Sequence, residues 1–140
     1  MASLDFAFLS ESARVDLGNQ LSALGIGFTH ISPSELPMAT PVTVAGLVWM
    51  TEEDEGSAEL EVTILGAEDS YEVSLEQRLF VPEGEPDLEG RQAAAFVAPI
   101  TLPLTTPGIY RVNIHLNGTL TRSLSFEVMR PWSTGSGDES

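Results

Sequence analysis

Two histidines and a large surplus of carboxylates are the groups in this chain with chemistry to offer. His115 shares an alternating parity with Arg111 and Asn113. Beyond the Asn117-Gly118 pair, Thr121, Ser123, Ser125 and Glu127 continue a polar parity. Side chains two residues apart on a strand share a face. Arg111, Asn113, His115, Ser123 and Ser125 would then stand together on a surface able to hydrogen-bond a sugar or a peptide. The plainer account is a solvated face, which antiparallel sheets commonly expose. His30 falls on the apolar parity of Phe28 and reads as a strand-end histidine. Two histidines this far apart in sequence do not define a metal site.

The carboxylates concentrate in the middle of the chain, where residues 52–89 hold 14 of the 21 acids and a single base, Arg78. Clustered acids on loops can hold Ca²⁺, which prefers oxygen ligands. Glu53, Asp54, Glu55, Asp69 and Asp87 are the candidates, although the run from Glu52 to Gly56 lacks EF-hand spacing. A solvated acidic rim accounts for the same residues, and it would steer a basic partner or keep strand edges from aggregating. No pair of acids is singled out for glycoside hydrolysis. There is no phosphate-binding glycine loop and no G-x-S-x-G elbow. With neither cysteine nor lysine in the chain, it cannot by itself supply a thiolate or a Schiff-base amine. The expectation is a non-enzyme without a cofactor, with a hydrolase as the remote alternative. Trp49 suits core or sheet-edge packing. Trp132, behind Pro131, either folds back on the domain or anchors a partner.

The elements that would carry these residues are strands. From Gly108 to Val128, Tyr110, Val112, Ile114 and Leu116 alternate with polar residues, then Asn-Gly, then Leu124, Phe126 and Val128 alternate again, as in a β-hairpin. A two-residue loop would set Ile114 opposite Thr121, apolar face against polar face. A three-residue loop ending in a left-handed Gly118, or a bulge, restores agreement and puts Arg122 on the core parity. The same period marks six more strands, around Leu4 to Phe8, Leu24 to Phe28, Val42 to Met50, Leu60 to Ile64, Tyr71 to Leu79 and Phe96 to Leu102. Pro99 and Pro103 share one parity, so the strand holding them should lie at a sheet edge or be bulged. Ser10 to Val15 is the one rival helical turn. The pattern predicts an all-β, antiparallel β-sandwich of about eight strands, Greek-key or immunoglobulin-like, over residues 1–131. Residues 132–140 form a disordered polar and acidic tail.

The opening Leu4-Asp5-Phe6-Ala7-Phe8-Leu9, with Ala13, Val15, Gly18-Asn19-Gln20-Leu21 and Gly25-Ile26-Gly27-Phe28, resembles the start of a widespread family of small uncharacterised bacterial proteins. Gly108-Ile109-Tyr110 through Asn117-Gly118 to Phe126-Glu127-Val128 is similar to that family's closing hairpin. Glu11 and Gln20 depart from the aspartate and lysine usual there. The resemblance implies a β-sandwich of unknown function and brings no catalytic residue.

A formal net charge of −15, with arginine as the only strong base, argues against nucleic acid and anionic membranes as partners. The first residues lack the basic start of a signal peptide, and no apolar run is long enough to span a bilayer. A cytoplasmic location is therefore expected. These features favour a binding or assembly module acting on a protein partner or on itself, through a sheet face, an edge or the acidic loops. An apolar strip near Leu47 and Trp49 would serve self-association, and a calcium-dependent or carbohydrate-binding module is the alternative. Repulsion among the acids should be relieved by salt. The melting temperature is expected to rise between low and moderate ionic strength, and calorimetry showing no rise would contradict this.

Overall fold

The computed structural model describes residues 2–16, 20–51, 54, 56–81, 87 and 90–131. Ten strands follow in chain order: β1 (Ser3–Ser10), β2 (Ser12–Asp16), β3 (Gln20–Leu24), β4 (His30–Ile31), β5 (Met38–Met50), β6 (Ser57–Leu65), β7 (Glu72–Phe80), β8 (Gln92–Leu104), β9 (Gly108–Leu116) and β10 (Thr119–Val128). A 3₁₀ turn, Ala67–Asp69, joins β6 to β7. One sheet has the order β1-β5-β8 and the other β4-β10-β9-β6-β7, while β2 and β3 form a separate hairpin. Neighbours are antiparallel except for β4 beside β10. The chain crosses between the two large sheets after β4, β5, β7 and β8.

The core forms where the inward parities of the two sheets meet. Val42, Val44, Val48, Phe96, Ala98 and Leu102 from one sheet join Leu60, Val62, Ile64, Val112, Ile114 and Phe126 from the other, all nearly inaccessible to solvent. Fully burying one such aliphatic or aromatic side chain is worth about 1.5–3 kcal/mol. Tyr110 is also buried, and its Oη donates to the Thr106 carbonyl at 2.8 Å across the corner between β8 and β9. Such a tyrosine corner is a hallmark of sandwiches built from crossing strands. Tyr71 packs edge-on against Tyr110 and donates to the Pro103 carbonyl. Burial, and then the neighbouring Tyr110, hold the Tyr71 phenol well above its ordinary value, so it remains a donor.

Two expectations need correction, and at the closing hairpin the structure decides between two expected alternatives. Residues 24–28 are not one strand: β3 ends at Leu24, and Gly25 and Gly27, with φ of +68° and +76°, turn the chain before β4. Residues 12–16 are not helical but form β2, whose alternation of Ala13 and Val15 with Ser12, Arg14 and Asp16 is the strand period. The Asn117-Gly118 loop has two residues, both at positive φ, with Leu116 opposite Thr119. The expected bulge, rather than the three-residue loop, restores the agreement: the register shifts between Leu120 and Arg122, and a bulge at Thr121 sets Arg122 opposite Ile114 and Phe126 opposite Tyr110. The Thr121 hydroxyl donates to the Ile114 carbonyl at 3.1 Å and pins that bulge.

β8 does lie at an edge of its sheet. Pro99 faces Thr43, Pro103 faces Ala39 and Pro41 faces Thr101, all of one parity. None of these prolines is then asked to donate a ladder hydrogen bond between β5 and β8.

Gly46 answers a constraint of its own. The pairing of β1 with β5 shifts between Leu4 and Phe6, which presses the backbone of β1 onto β5. A Cβ at Gly46 would overlap the Phe6 carbonyl oxygen and come within 2.8 Å of the Phe96 ring. Gly46→Ala is therefore expected to destabilise the fold by about 2–3 kcal/mol, read from urea denaturation; an unchanged midpoint would refute the close approach. On the β2–β3 hairpin, Asp16 accepts from the Ser22 hydroxyl and from Arg14 Nε at 2.8 Å, and these bonds hold its carboxyl below the usual value of 3.8. Its folded value being lowered, the stabilisation is complete above the unfolded value and is lost as pH falls through the folded one. Asp16→Asn should therefore weaken amide protection in β2 and β3 at neutral pH, and the difference from the parent should vanish in acid.

Candidate functional site

The outer face of the five-stranded sheet is built by register. Thr63 of β6 stands between Ser74 of β7 and Asn113 of β9, and Asn113 stands opposite Ser123 of β10. The Thr63 and Ser74 hydroxyls are 3.1 Å apart, and the Ser123 hydroxyl donates to Asn113 Oδ1 at 2.8 Å. A polar row thus crosses four strands with a side-chain hydrogen bond at each end. One row away run Glu72, Leu65, Arg111 and Ser125; on the other side run Glu76, Glu61, His115 and Leu120. The five residues picked out on this face, Arg111, Asn113, His115, Ser123 and Ser125, therefore stand together. His30, on β4, is exposed and pairs with Glu127 at the margin of the same sheet.

Charge on this face is uneven. Glu61 and Glu76 are direct cross-strand neighbours, an arrangement of like charges that costs stability. Glu59 is balanced by Arg78, whose Nη2 lies 2.9 Å from Glu59 Oε2. The Asn117-Gly118 loop is tied to the same strand: Asn117 N donates to the Glu59 carbonyl at 2.8 Å, and Glu59 N donates to Asn117 Oδ1 at 2.9 Å. Glu59, Glu61, Glu76, Gln77, Arg78 and Gly118 line a shallow depression of about 380 Å³. Nδ1 of His115 is shielded from solvent and has no hydrogen-bond partner among the described residues.

The acidic loop candidates lie elsewhere. Asp54 accepts from Thr51 N at 2.7 Å and so closes its own turn. Asp87 accepts from Arg91 N at 2.8 Å and Nε at 3.0 Å. Asp69 is exposed in the 3₁₀ turn with φ of +57°. Glu53, Glu55, Trp132 and the tail from 132 to 140 lie outside the described residues. Among the described residues, no three His, Asp or Glu side chains come together as a metal would require.

Trp49 is half-buried on the outer face of the three-stranded sheet, paired with Ser3 and Ala93. The Arg91 guanidinium lies 4.2 Å over its ring, a cation–π contact. By register, Phe6, Phe8, Ala45, Leu47, Ala95 and Val97 share that apolar face, with the rings of Phe6 and Phe8 stacked 6.1 Å apart. Arg91, missed as a contributor here, joins Asp87 in the acidic loop to Trp49 on the sheet. Nothing in its sequence neighbourhood announces that link, since Arg91 and Trp49 meet through the pairing of β5 with β8.

No helix among the described residues is long and apolar enough to cross a membrane. No curated protein matches the chain. Among solved structures, a DNA-bound alkylpurine DNA glycosylase, AlkC of Pseudomonas fluorescens, aligns at 14% identity with a TM-score of 0.40, over 72% of this chain and 28% of that one. The profile of a family of unknown function, DUF6941, matches residues 5–129, and the chain belongs to that family.

Proposed function

We propose that this protein is a non-catalytic binding or assembly module that engages a protein partner, or a second copy of itself, through the outer face of its five-stranded sheet. The observation that carries this is the row Ser74, Thr63, Asn113 and Ser123, fixed in one plane by side-chain hydrogen bonds. Arg111 and His115 flank it on neighbouring rows. Such a surface offers preorganised donors and acceptors, which lowers the cost of ordering side chains on binding. The net charge of −15 disfavours nucleic acid and anionic lipid as the partner. A cytoplasmic setting, in which a cysteine-free chain loses nothing, accords with this role.

A photo-activated cross-linking residue at position 113 or 125, in cells that make the protein natively, tests the proposal. Cross-links are expected from both positions and not from position 101, which is exposed on the opposite sheet. A product that is a multiple of 15.0 kDa identifies self-association, and any other mass identifies a different protein. Equal cross-linking from position 101, or none from 113 and 125, overturns the assignment to this face.

A further inference from the structure

The two large sheets have four edges, and three of them are guarded by the geometry of the backbone. β8 carries Pro99 and Pro103, β4 is two residues long, and the pairing of β1 is irregular between Leu4 and Phe6. Prolines, brevity and bulges are the usual means of keeping an edge from recruiting another chain. β7 has none of them. It runs nine residues from Glu72 to Phe80, contains no proline, and pairs with β6 without a shift.

Its hydrogen-bonding parity is fixed by its ends. Gly66 N donates to the Tyr71 carbonyl at 2.9 Å, and Val81 N donates to the Gly56 carbonyl at 3.0 Å. In an antiparallel pair, residues bonded to one neighbour alternate with residues turned away. Odd-numbered residues of β7 therefore bond to β6, and Glu72, Ser74, Glu76 and Arg78 turn their N–H and C=O groups outward. β7 ends the order of its sheet, so among the described residues no strand hydrogen-bonds to that outward row, although β8 of the facing sheet runs close by. Gln77 donates to the Val97 carbonyl at 2.8 Å, closing the seam to β8 with a side chain of the inward parity. That bond leaves the outward backbone row itself unpaired among the described residues.

Charge selects the occupant. On the outer face this edge presents Glu72 and Glu76, with Glu61 behind them and the one base, Arg78, paired to Glu59. A second copy at −15 would bring the same surplus back against it. An incoming strand with a basic residue at every second position would place its cations beside Glu72 and Glu76. Its apolar residues would extend the half-buried row of Val73 and Leu75. We infer that β7 is a docking edge for an extended basic segment of another protein, added as a sixth strand to this sheet. This deepens the function proposed above and rests on it.

The full chain is titrated with three labelled ten-residue peptides, followed by anisotropy and by backbone amide exchange. The first alternates lysine and valine, the second glutamate and valine, and the third repeats the first with alternate amides N-methylated. The lysine peptide is expected to bind more weakly as salt rises and to slow exchange at the amides of Glu72, Ser74, Glu76 and Arg78. The glutamate and N-methylated peptides should bind at least about tenfold more weakly. The double variant Glu72→Lys with Glu76→Lys should reverse the preference between the first two. Failure of the lysine peptide to bind, equal binding of the N-methylated peptide, or protection confined to other strands overturns the inference. If that happens while positions 113 and 125 still cross-link, strand addition alone is lost. If those cross-links also fail, the sheet-face function falls with it.

Discussion

The two-residue period of extended chain governs this molecule. Every side chain is assigned a face by counting, so one inserted residue reverses all that follow unless something absorbs it. β9 and β10 make the point. With Leu116 opposite Thr119, continuing the count would set Ile114 against Thr121 and expel Leu124, Phe126 and Val128 from the core. The bulge at Thr121 absorbs the odd residue three positions after Gly118. Phe126 then closes on Tyr110 at a ring separation of 5.5 Å and on Phe28 at 5.6 Å. The polar row through Asn113 and Ser123 exists for the same reason, being the other side of the same count.

The sandwich has two unlike outer surfaces. The five-stranded sheet shows water its serines, asparagine and acids, while Thr63 between them is buried. The three-stranded sheet is apolar on both sides, and part of its outside is covered: Ala45 is fully buried although its parity points away from the core, with β2 packed close to β5 and β8. Ser10, paired with Thr43 on that parity, is completely buried, and its hydroxyl has no partner among the described residues. A buried hydroxyl without a partner costs stability, so this corner is held by the apolar contacts around it. β5 is the strand that makes it possible, paired on both sides and buried on both faces from Val42 to Gly46.

Alternation along a single strand is local information, and that part of the fold was legible. The edge position of β8 was legible too, because proline's missing donor is a local fact. What could not be read was which strands are neighbours. Arg111, Asn113 and His115 were assignable to one face from β9 alone, but their companions Thr63, Ser74 and Glu61 arrive through pairings of distant segments. Arg91 reaches Trp49 through the pairing of β5 with β8, and it meets Asp87 in a stretch whose composition announces only acidity. The stretch from Gly25 to Phe28 misled because its apolar residues keep the strand period while its two glycines take positive φ. Gly25 lies so close to the Glu11 side chain that a Cβ there would come within 2.6 Å of it. Periodicity in hydrophobicity does not report that backbone.

The acids of β6 and β7 are best understood as a choice about neighbours rather than about folding. Glu61 beside Glu76 gains nothing for the folded state, since like charges directly opposed on a sheet are unfavourable. Both positions point outward, where a serine or threonine would satisfy the same backbone at no electrostatic cost. What the carboxylates add is repulsion toward any strand of similar character, including this one in a second molecule. Prolines accomplish the same on β8 by removing donors, and they reject every partner alike. Carboxylates reject selectively. An edge guarded by charge stays closed to its own kind and open to the opposite sign, whereas an edge guarded by geometry is closed to all. The molecule uses both devices, on opposite sheets, and only the first leaves the backbone of its strand ready to bond.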